Sequence, residues 1–565
     1  MIQELVEFGK RVTRGKNKAF KEESFAIDLV INEEGEFQHF IVGEKQNIEA
    51  EVITAKKGKA RFLLDKCEEV LGVGEDSERK HKLFLDKLEL YRGAPSLEPV
   101  FKFYYDNNEN GLKRAKVKFN ELKGDEKKEN LTFMVGATRL LDKDEIRSAI
   151  IEKFAENERK ASNGKVCSIC GSSNSPVLDE PHGLVKMPKG QSAGCALISY
   201  NVNAFESYGL KGNLNSSICR ECARNYIEGL SFLLKDGHNV EGEGKQKDHY
   251  QYHHRLKISD NTIALFWTRE DTGFFDPFSV FDTPDASEIK NLFDSVWNGK
   301  QHIGSVVDTN MFYTCTLSPA AARIAVRDWT ALSLDEYKKN LAEWFQDIEI
   351  VDSTGELKYS PLSRLINATQ RNKKSGEKQR ADLNSKAKIG TILWNAAIKG
   401  HSYMIPLEVL QYVLNRIWKE GNFSTERAAI IKLVVNRNTN KNMKSTLEKT
   451  NTSVAYLCGR LFAVIESMQW MAMGGKKVNS SVKDRFFVAA ASQPAYIFGA
   501  LLTKNVTIYQ RKIGGYLSKE LNEITGRISE NGRFPQRFST IEQGEFALGY
   551  YFQRNHKNDI KDSNN

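Results

Sequence analysis

Two Cys-x-x-Cys turns, Cys167-Ser-Ile-Cys170 and Cys219-Arg-Glu-Cys222, constrain this chain more than any other feature. Each turn aims two sulfurs at one point, and two turns supply the four soft ligands of a tetrahedral zinc site. A two-knuckle site usually spaces its pairs by about 15–20 residues, whereas here the interval runs from Gly171 to Ile218. So long an interval is expected to be a folded or ligand-gripping segment in its own right. The competing readings are four buried reduced thiols, or a former metal site that no longer binds. Four thiolates leave no open coordination position, so Cys167, Cys170, Cys219 and Cys222 are expected to hold a structural rather than a catalytic zinc.

The chain has 565 residues, enough for about three or four domains with real cores. Hydrophobic content of 40% and charged content of 27% are those of a soluble globular protein. Eight cysteines in such a length do not make a disulfide scaffold, so Cys67, Cys195, Cys315 and Cys458 read as reduced core thiols. Neither a secretory apolar region nor a bilayer-length apolar run is evident, which points to a cytoplasmic protein without membrane partners. Lys and Arg number 82 against 73 acidic residues, a formal charge of +9. The resulting pI of 8.8 falls just short of the value of about 9 that marks a dedicated nucleic-acid domain, so local clustering has to decide.

Residues 1–165 read as an α+β domain. Ser24–Ile31 and Glu36–Val42 are strand-like and joined by the turn signal Asn32-Glu-Glu-Gly35. Residues 60–92 read helical, Phe101–Tyr105 and Leu131–Val135 read as strands, and a helix from Asp144 leads to the first knuckle. Basic residues gather at Lys56-Lys57-Gly58-Lys59-Ala60-Arg61 and at Lys66. Between the knuckles, Lys186-Met-Pro-Lys189-Gly-Gln191-Ser192 offers cations, amides and accessible backbone, followed by the strand-like Cys195–Asn201. Such groups make phosphate and base-edge contacts, and a solvated surface is the alternative for each cluster. The second knuckle opens a helix over 223–234, the polar stretch 236–249 reads as a loop, and Ile263–Trp267 as a strand.

From about Leu332 the apolar residues recur at three- and four-residue steps, predicting helices over 406–420, 424–437, 451–473, 481–503, 507–529 and 539–553. Gln370–Arg380 has no apolar period and reads as a basic linker. The last four segments predict an antiparallel bundle with Tyr456, Leu457, Leu461, Val464, Ile465 and Met468 in its core. The fold class expected is therefore α+β: a mixed N-terminal domain (1–165), an inserted zinc-knuckle module (166–235), the remainder of the mixed domain (236–330), a helical region (331–445) and a C-terminal helical bundle (446–565).

No phosphate-binding loop, His-Glu-x-x-His or Gly-x-Ser-x-Gly elbow is present, and the pair His253-His254 has no ligand-spaced partner in sequence. The residues alone point to a binding protein rather than an enzyme. Two rivals stay open at this stage: a nuclease of mobile-element defence gripping DNA through its zinc module, and a free-standing zinc-ribbon RNA-binding protein.

Taken together, the motifs resemble the large subunit of the type I-C CRISPR surveillance complex, Cascade. The resemblance rests on Phe62-Leu-Leu-Asp65 through Val70-Leu-Gly72, on the knuckles with Gly190-Gln191, Ser199-Tyr-Asn201 and Phe205–Gly209 between them, and on Leu317-Ser-Pro319 through Arg327. It continues through Arg427-Ala-Ala-Ile-Ile-Lys432, Tyr456–Glu466, Asp484-Arg485 and Gln543–Tyr551, in order over more than five hundred residues. It implies a non-catalytic subunit at the 5′ end of the CRISPR RNA that checks the motif beside the target (the PAM) in double-stranded DNA. It also implies help in opening the duplex, partnership with the backbone, RNA-processing and small subunits, and a landing surface for the helicase–nuclease. Guide pairing then reads the long sequence while protein reads a short motif and duplex shape. The expected nucleic-acid contacts are Lys56, Lys57, Lys59, Arg61, Lys66, Lys186, Lys189, Gln191, Ser192 and Asn201, with Arg323 and Arg327 in a helix opening. Two departures stand out: members of that family often carry Asp-Asn where this chain has Asp65-Lys66, and Pro-Asn-Ala-Ala-Arg where it has Pro319-Ala-Ala-Ala-Arg323. The resemblance also implies a shorter product from an internal start, for which Met443 is placed.

Overall fold

A strand-like apolar run over Phe25–Ile31, buried on both faces, and the Asn32–Gly35 turn produce the hairpin expected near the N-terminus. In the computed structural model, β1 (Phe20–Ile31) pairs antiparallel with β2 (Phe37–Glu51). The turn is closed by Gly35 N–H donating to Asn32 O and Glu36 N–H donating to the Asn32 side-chain oxygen. The structure describes residues 1–52, 60–74, 77–106, 110–161, 164–241, 248–271, 281, 284–297, 310–371, 383–439, 441–476, 479–515 and 517–556. It divides into two compact units, one of residues 1–186 with 193–232, the other of 187–192 with 233–565.

In the first unit, β1 also pairs in parallel with β4 (Asn130–Val135), which carries β3 (Leu64–Lys66) and β5 (Thr138–Arg139), giving the order β2-β1-β4-β3. Helices α1 (Ile2–Val12), α2 (Cys67–Leu71), α3 (Ser77–Glu89), α4 (Glu98–Tyr105), α5 (Asn110–Phe119), α6 (Asp144–Ala161) and α7 (Arg220–Lys235) complete the described helices whose first turns lie in it. Ile27, Leu29, Val100, Phe103, Leu131, Phe133 and Ile146 form its core. The stretch Phe101–Tyr105 is helix, not the strand its aromatic content predicts. Glu98 and Pro99 open a helix there, and Val100, Phe101, Phe103 and Tyr104 are buried at helical spacing. Residues 60–92 are likewise not one helix: β3 precedes α2, and Gly72 and Gly74 in left-handed conformations break α2 from α3.

The second unit opens with the hairpin β6 (Gly237–Val240) and β7 (His249–Tyr252), where a loop was expected. Both strands are only four residues long, and their apolar content is limited to Val240, Tyr250 and Tyr252, too short an alternation to mark a strand. A four-stranded sheet follows in the order β11-β10-β9-β8, made of β8 (Arg255–Lys257), β9 (Ile263–Thr268), β10 (Met311–Ala320) and β11 (Arg323–Ser333). Arg323 and Arg327 therefore lie on a strand and not in a helix opening. Trp267, Tyr313 and Trp329 pack ring against ring across the three longer strands and fix that register.

Helix α8 (Ala286–Trp297) precedes β10, and beyond β11 the described chain is helical apart from the short pair β12 (Ile350–Val351) and β13 (Leu357–Lys358). The helices are α9 (Leu334–Ile348), α10 (Leu362–Ala368), α11 (Leu383–Lys399), α12 (Leu407–Glu420), α13 (Thr425–Asn438), α14 (Val454–Ala472), α15 (Val482–Ser492), α16 (Pro494–Ala500), α17 (Thr507–Ile513), α18 (Ser518–Glu530) and α19 (Thr540–Asn555). Pro494 starts a new helix inside the segment expected to run unbroken from 481 to 503, and Gly514 and Leu517 in left-handed conformations divide the next. All six residues expected in the bundle core are buried. The basic linker at 370–380 lies outside the described residues beyond Arg371.

α14 and α19 form the most extensive helix pair, and α19 also packs on α12 and α13. Ser453 and Ser539 cap these helices, and Glu542 completes a capping box on α19. Buried charges are paired locally, although Arg437 keeps its Nη1 and Nη2 buried without a hydrogen-bond partner. Asp347 accepts from Asn436 Nδ2 at 2.8 Å and Arg437 Nε at 2.6 Å, and burial of Lys432, whose Nζ donates to Gln346 O, pulls its pKa down to about 8. Arg427 donates to the carbonyls of Ala368 and Asn422 and pairs with Glu420. The Arg427–Lys432 motif is thus an internal brace of this unit.

Candidate metal centre and nucleic-acid interface

The first Cys pair sits on a tight turn in which Gly171 N–H donates to Cys167 O and Cys167 N–H donates to Ser172 O. The second sits at the start of α7, where unpaired N–H groups and the helix dipole favour negative charge. Three amides point at sulfur: Ile169 N and Cys219 N reach Cys167 Sγ at 3.4 and 3.3 Å, and Cys222 N reaches Cys219 Sγ at 3.5 Å. The four sulfurs lie within 4.8 Å of one another, with Cys170 and Cys219 3.9 Å apart. Tetrahedral Zn–S bonds of about 2.3 Å place sulfurs about 3.8 Å apart, so the cluster fits that ion. Cys167, Cys219 and Cys222 are buried and Cys170 is exposed. Protons divide unevenly among them: the Cys222 thiol, donating to Cys219, draws Cys219 down to about 5, while Cys222 itself is pushed up. Cys67, Cys195, Cys315 and Cys458 are buried free thiols, as expected.

The ends of the 171–218 interval are tied beside the cluster. Ser168 N–H donates to Ser217 O, Ser217 Oγ to Val166 O, and Arg220 N–H to Pro176 O. Asn213 is the hub: its fully buried amide donates to Leu178 O and Ile218 O, so its Oδ1 must accept from His182 Nε2 at 2.9 Å. His182 Nδ1 then accepts from Tyr226 OH at 2.8 Å, and burial holds the imidazole below its ordinary pKa and neutral.

The loop after this hub is closed by paired backbone hydrogen bonds between Val185 and Cys195. Strand character in Cys195–Asn201 is confined to isolated bridges at Cys195 and Ala196; residues 196–200 are half-buried and form no ladder. Met187 anchors the loop, Gly190 N–H donates to Met187 O, and Lys189 takes the left-handed conformation at φ +61°. Lys186, Lys189, Gln191, Ser192 and Asn201 are all exposed.

The first unit carries Arg61, Lys66, Lys186 and Asn201; the second carries Lys189, Gln191, Ser192, Arg323 and Arg327. Lys56, Lys57 and Lys59 lie outside the described residues. Arg61 is already engaged, its backbone N–H on Asp65 and its guanidinium 3.5 Å from Glu23. Lys66 is exposed at the mouth of α2, above a carboxyl pair in which burial, with Asp65 alongside, pushes Glu69 up to about 7. Arg327 is the extra residue of a β-bulge, and its Nε donates to Ser318 Oγ at 2.7 Å.

The structure also joins residues that sequence spacing kept apart. His253 Nδ1 lies 2.8 Å from Asp236 Oδ2 and its Nε2 2.8 Å from His238 Nδ1, across the β6–β7 hairpin. Reading 236–252 as a hairpin would have brought His238 and His253 onto one face.

Among the described residues no helix is long and apolar enough to cross a membrane. No curated protein sequence matches the chain. The family described as "CRISPR-associated protein (Cas_Csd1)" matches it over residues 5–557, which takes in both Cys pairs, the 186–192 loop and all the C-terminal helices. The chain belongs to the Cas_Csd1 family of CRISPR-associated proteins, the family of the type I-C large subunit.

Proposed function

We propose that this protein is the non-catalytic large subunit of a type I-C Cascade in the cytoplasm. It caps the 5′ end of the CRISPR RNA, reads the PAM in double-stranded DNA, assists opening of the duplex and recruits the helicase–nuclease. The observation that carries the reading is the 186–192 loop, a preformed exposed turn bearing two lysines, an amide and a hydroxyl, in a member of this family from end to end. The lysines supply sequence-independent phosphate neutralisation, and Gln191 and Asn201 offer donor and acceptor to a base edge. Lys66, where relatives carry Asn, replaces a two-way hydrogen-bonding group by a cation, which shifts PAM reading toward acceptor-bearing edges such as guanine.

Zinc held by Cys167, Cys170, Cys219 and Cys222 would supply a closed structural clamp with no open position. Its role is to fix the two ends of the interval that displays the loop. The five-segment division of the chain follows the same logic: a mixed domain and knuckle module for the guide and the PAM, and the helices beyond 331 for the remaining subunits and the opened strand.

The test is co-expression with the neighbouring CRISPR genes, sequencing of the RNA that co-purifies, and selection of bound duplexes from a library with randomised flanking bases. One flanking motif enriched by the wild type and blurred by Gln191→Ala, with no cleavage until the helicase–nuclease is added, is expected. A protein that purifies without RNA, or a purified chain that cleaves DNA with added metal, refutes the proposal.

A further inference from the structure

Helix α14 is buried along most of its length, yet its last turn presents Trp470 with 60% of its surface exposed. The indole borders a cavity of about 510 Å³, within the range of roughly 300–1,000 Å³ that small-molecule sites occupy. Glu466, Ser467, Glu520, Gln553, Arg554 and His556 supply its polar lining, in which the two carboxylates outnumber the one guanidinium. Glu466, Glu520, Gln553 and Arg554 are positioned before any ligand arrives. Arg554 Nη1 donates to Tyr550 OH at 2.8 Å, and Tyr550 OH donates to Glu466 Oε2 at 2.7 Å. Gln553 Nε2 donates to Glu520 Oε1 at 2.8 Å while its Oε1 accepts from the buried Arg460 at 2.9 Å. Leu517, in a left-handed conformation that only a strongly determined fold gives a branched residue, closes one side.

The chemistry of this lining selects its ligand. Two carboxylates against one guanidinium disfavour a phosphate inside the cavity. They favour a planar group that can lie on an indole and donate hydrogen bonds from its edge. Bases with an exocyclic amine meet both requirements, since a carboxylate accepts from cytosine N4 whereas thymine offers a carbonyl at that place. Stacking on a tryptophan needs an unpaired base.

We propose that this cavity receives one unpaired, amino-bearing nucleobase from a single-stranded segment, stacked on Trp470, with its edge toward Glu466 and its backbone outside. The inference rests on the reading of the chain as a nucleic-acid-handling subunit, and adds a site and a base preference to it. The test uses the full-length protein and fluorescently labelled dC and dT 12-mers in anisotropy titrations, with wild type, Trp470→Ala and Glu466→Ala. Exposed Trp470 can be replaced without opening the core, and circular dichroism and melting of each variant check that α14 and α19 remain folded. The expected result is a dC preference of about tenfold in the wild type that both variants abolish, Trp470→Ala also weakening dC binding about tenfold. Equal binding of dC and dT, unchanged in Trp470→Ala, overturns the inference and leaves the wider reading intact. Absence of binding to any single strand overturns it as well, and duplex-target binding by the assembled complex then decides the wider reading separately.

Discussion

Helices α14 and α19 touch backbone to backbone, and a single methyl group tests how much of the second unit depends on that contact. A Cβ on Gly459 would stand 1.9 Å from Phe546 O and 2.8 Å from Tyr550 N, and one on Gly549 would stand 2.1 Å from Tyr456 O. The opposing atoms are backbone, so no side chain can swing away. In Gly459→Ala the helices must part by about 1.5 Å to restore ordinary contact, loosening a row that includes Tyr456, Phe462 and Phe546. Overpacking of this kind costs about 1–3 kcal/mol, and the rigidity of backbone puts this site at the upper end. Alanine returns about 1 kcal/mol of helix propensity, leaving a net loss of about 2 kcal/mol. Gly526 in α18 is the internal control, because nothing lies within 4 Å of its Cβ position. Gly526→Ala should stabilise its helix by about 0.5–1 kcal/mol. Hydrogen exchange of peptides from 454–472 and 540–555 reads the result: about 30-fold less protection in Gly459→Ala is expected. Unchanged protection there, or loss of similar size in Gly526→Ala, would refute the backbone-contact argument.

Metal analysis of the purified protein should return one zinc per chain, and Cys219→Ser should lower that content and open 171–218 to proteolysis; four freely titratable thiols without zinc would exclude the site. Lys186→Ala combined with Lys189→Ala in the assembled complex should weaken target binding and reduce the magnitude of the salt slope by up to about 1.8, about 0.9 for each lost phosphate contact; an unchanged slope would move the contact elsewhere. His182 is held below its ordinary 6.5, so the unfolded chain binds its proton more readily; its contribution is complete above that pH and declines below it until the folded ring titrates. Stability measured from pH 7 to 5 should therefore fall less steeply in His182→Gln than in the wild type, and parallel curves would count against the neutral-imidazole assignment. Changing the Met443 codon to a non-start codon should remove a shorter C-terminal polypeptide from the purified complex; intact-mass analysis showing only the full-length chain in the wild type would rule out that start.

The sequence pointed to the four cysteines because their chemistry is local: Cys-x-x-Cys fixes each pair, and only the joining of the pairs needed the fold. The bundle helices were legible for a related reason, since Leu457, Leu461 and Val464 repeat at helical steps and are buried on that face. Phe101–Tyr105 misled because aromatic residues favour strands on average, while the decisive signal, Glu98-Pro99 opening a helix, lay just upstream. Arg323 and Arg327 were expected in a helix opening, but Ala321 makes a left-handed turn between two paired strands there. The Trp470 cavity had no linear signal, since Glu466, Glu520 and Arg554 come from three helices.

The position of α19 has a consequence for synthesis. This helix is made after every helix it packs on, α12, α13 and α14, and its buried Glu545 is held by Lys441 and Ser453. The first unit is built from residues up to 232, so its segments are all made before α9. The helices from Leu334 onward cannot complete their core until α19 emerges. At 5–20 residues per second their apolar faces wait about 10–45 s, an interval in which chaperones or waiting subunits have access to them.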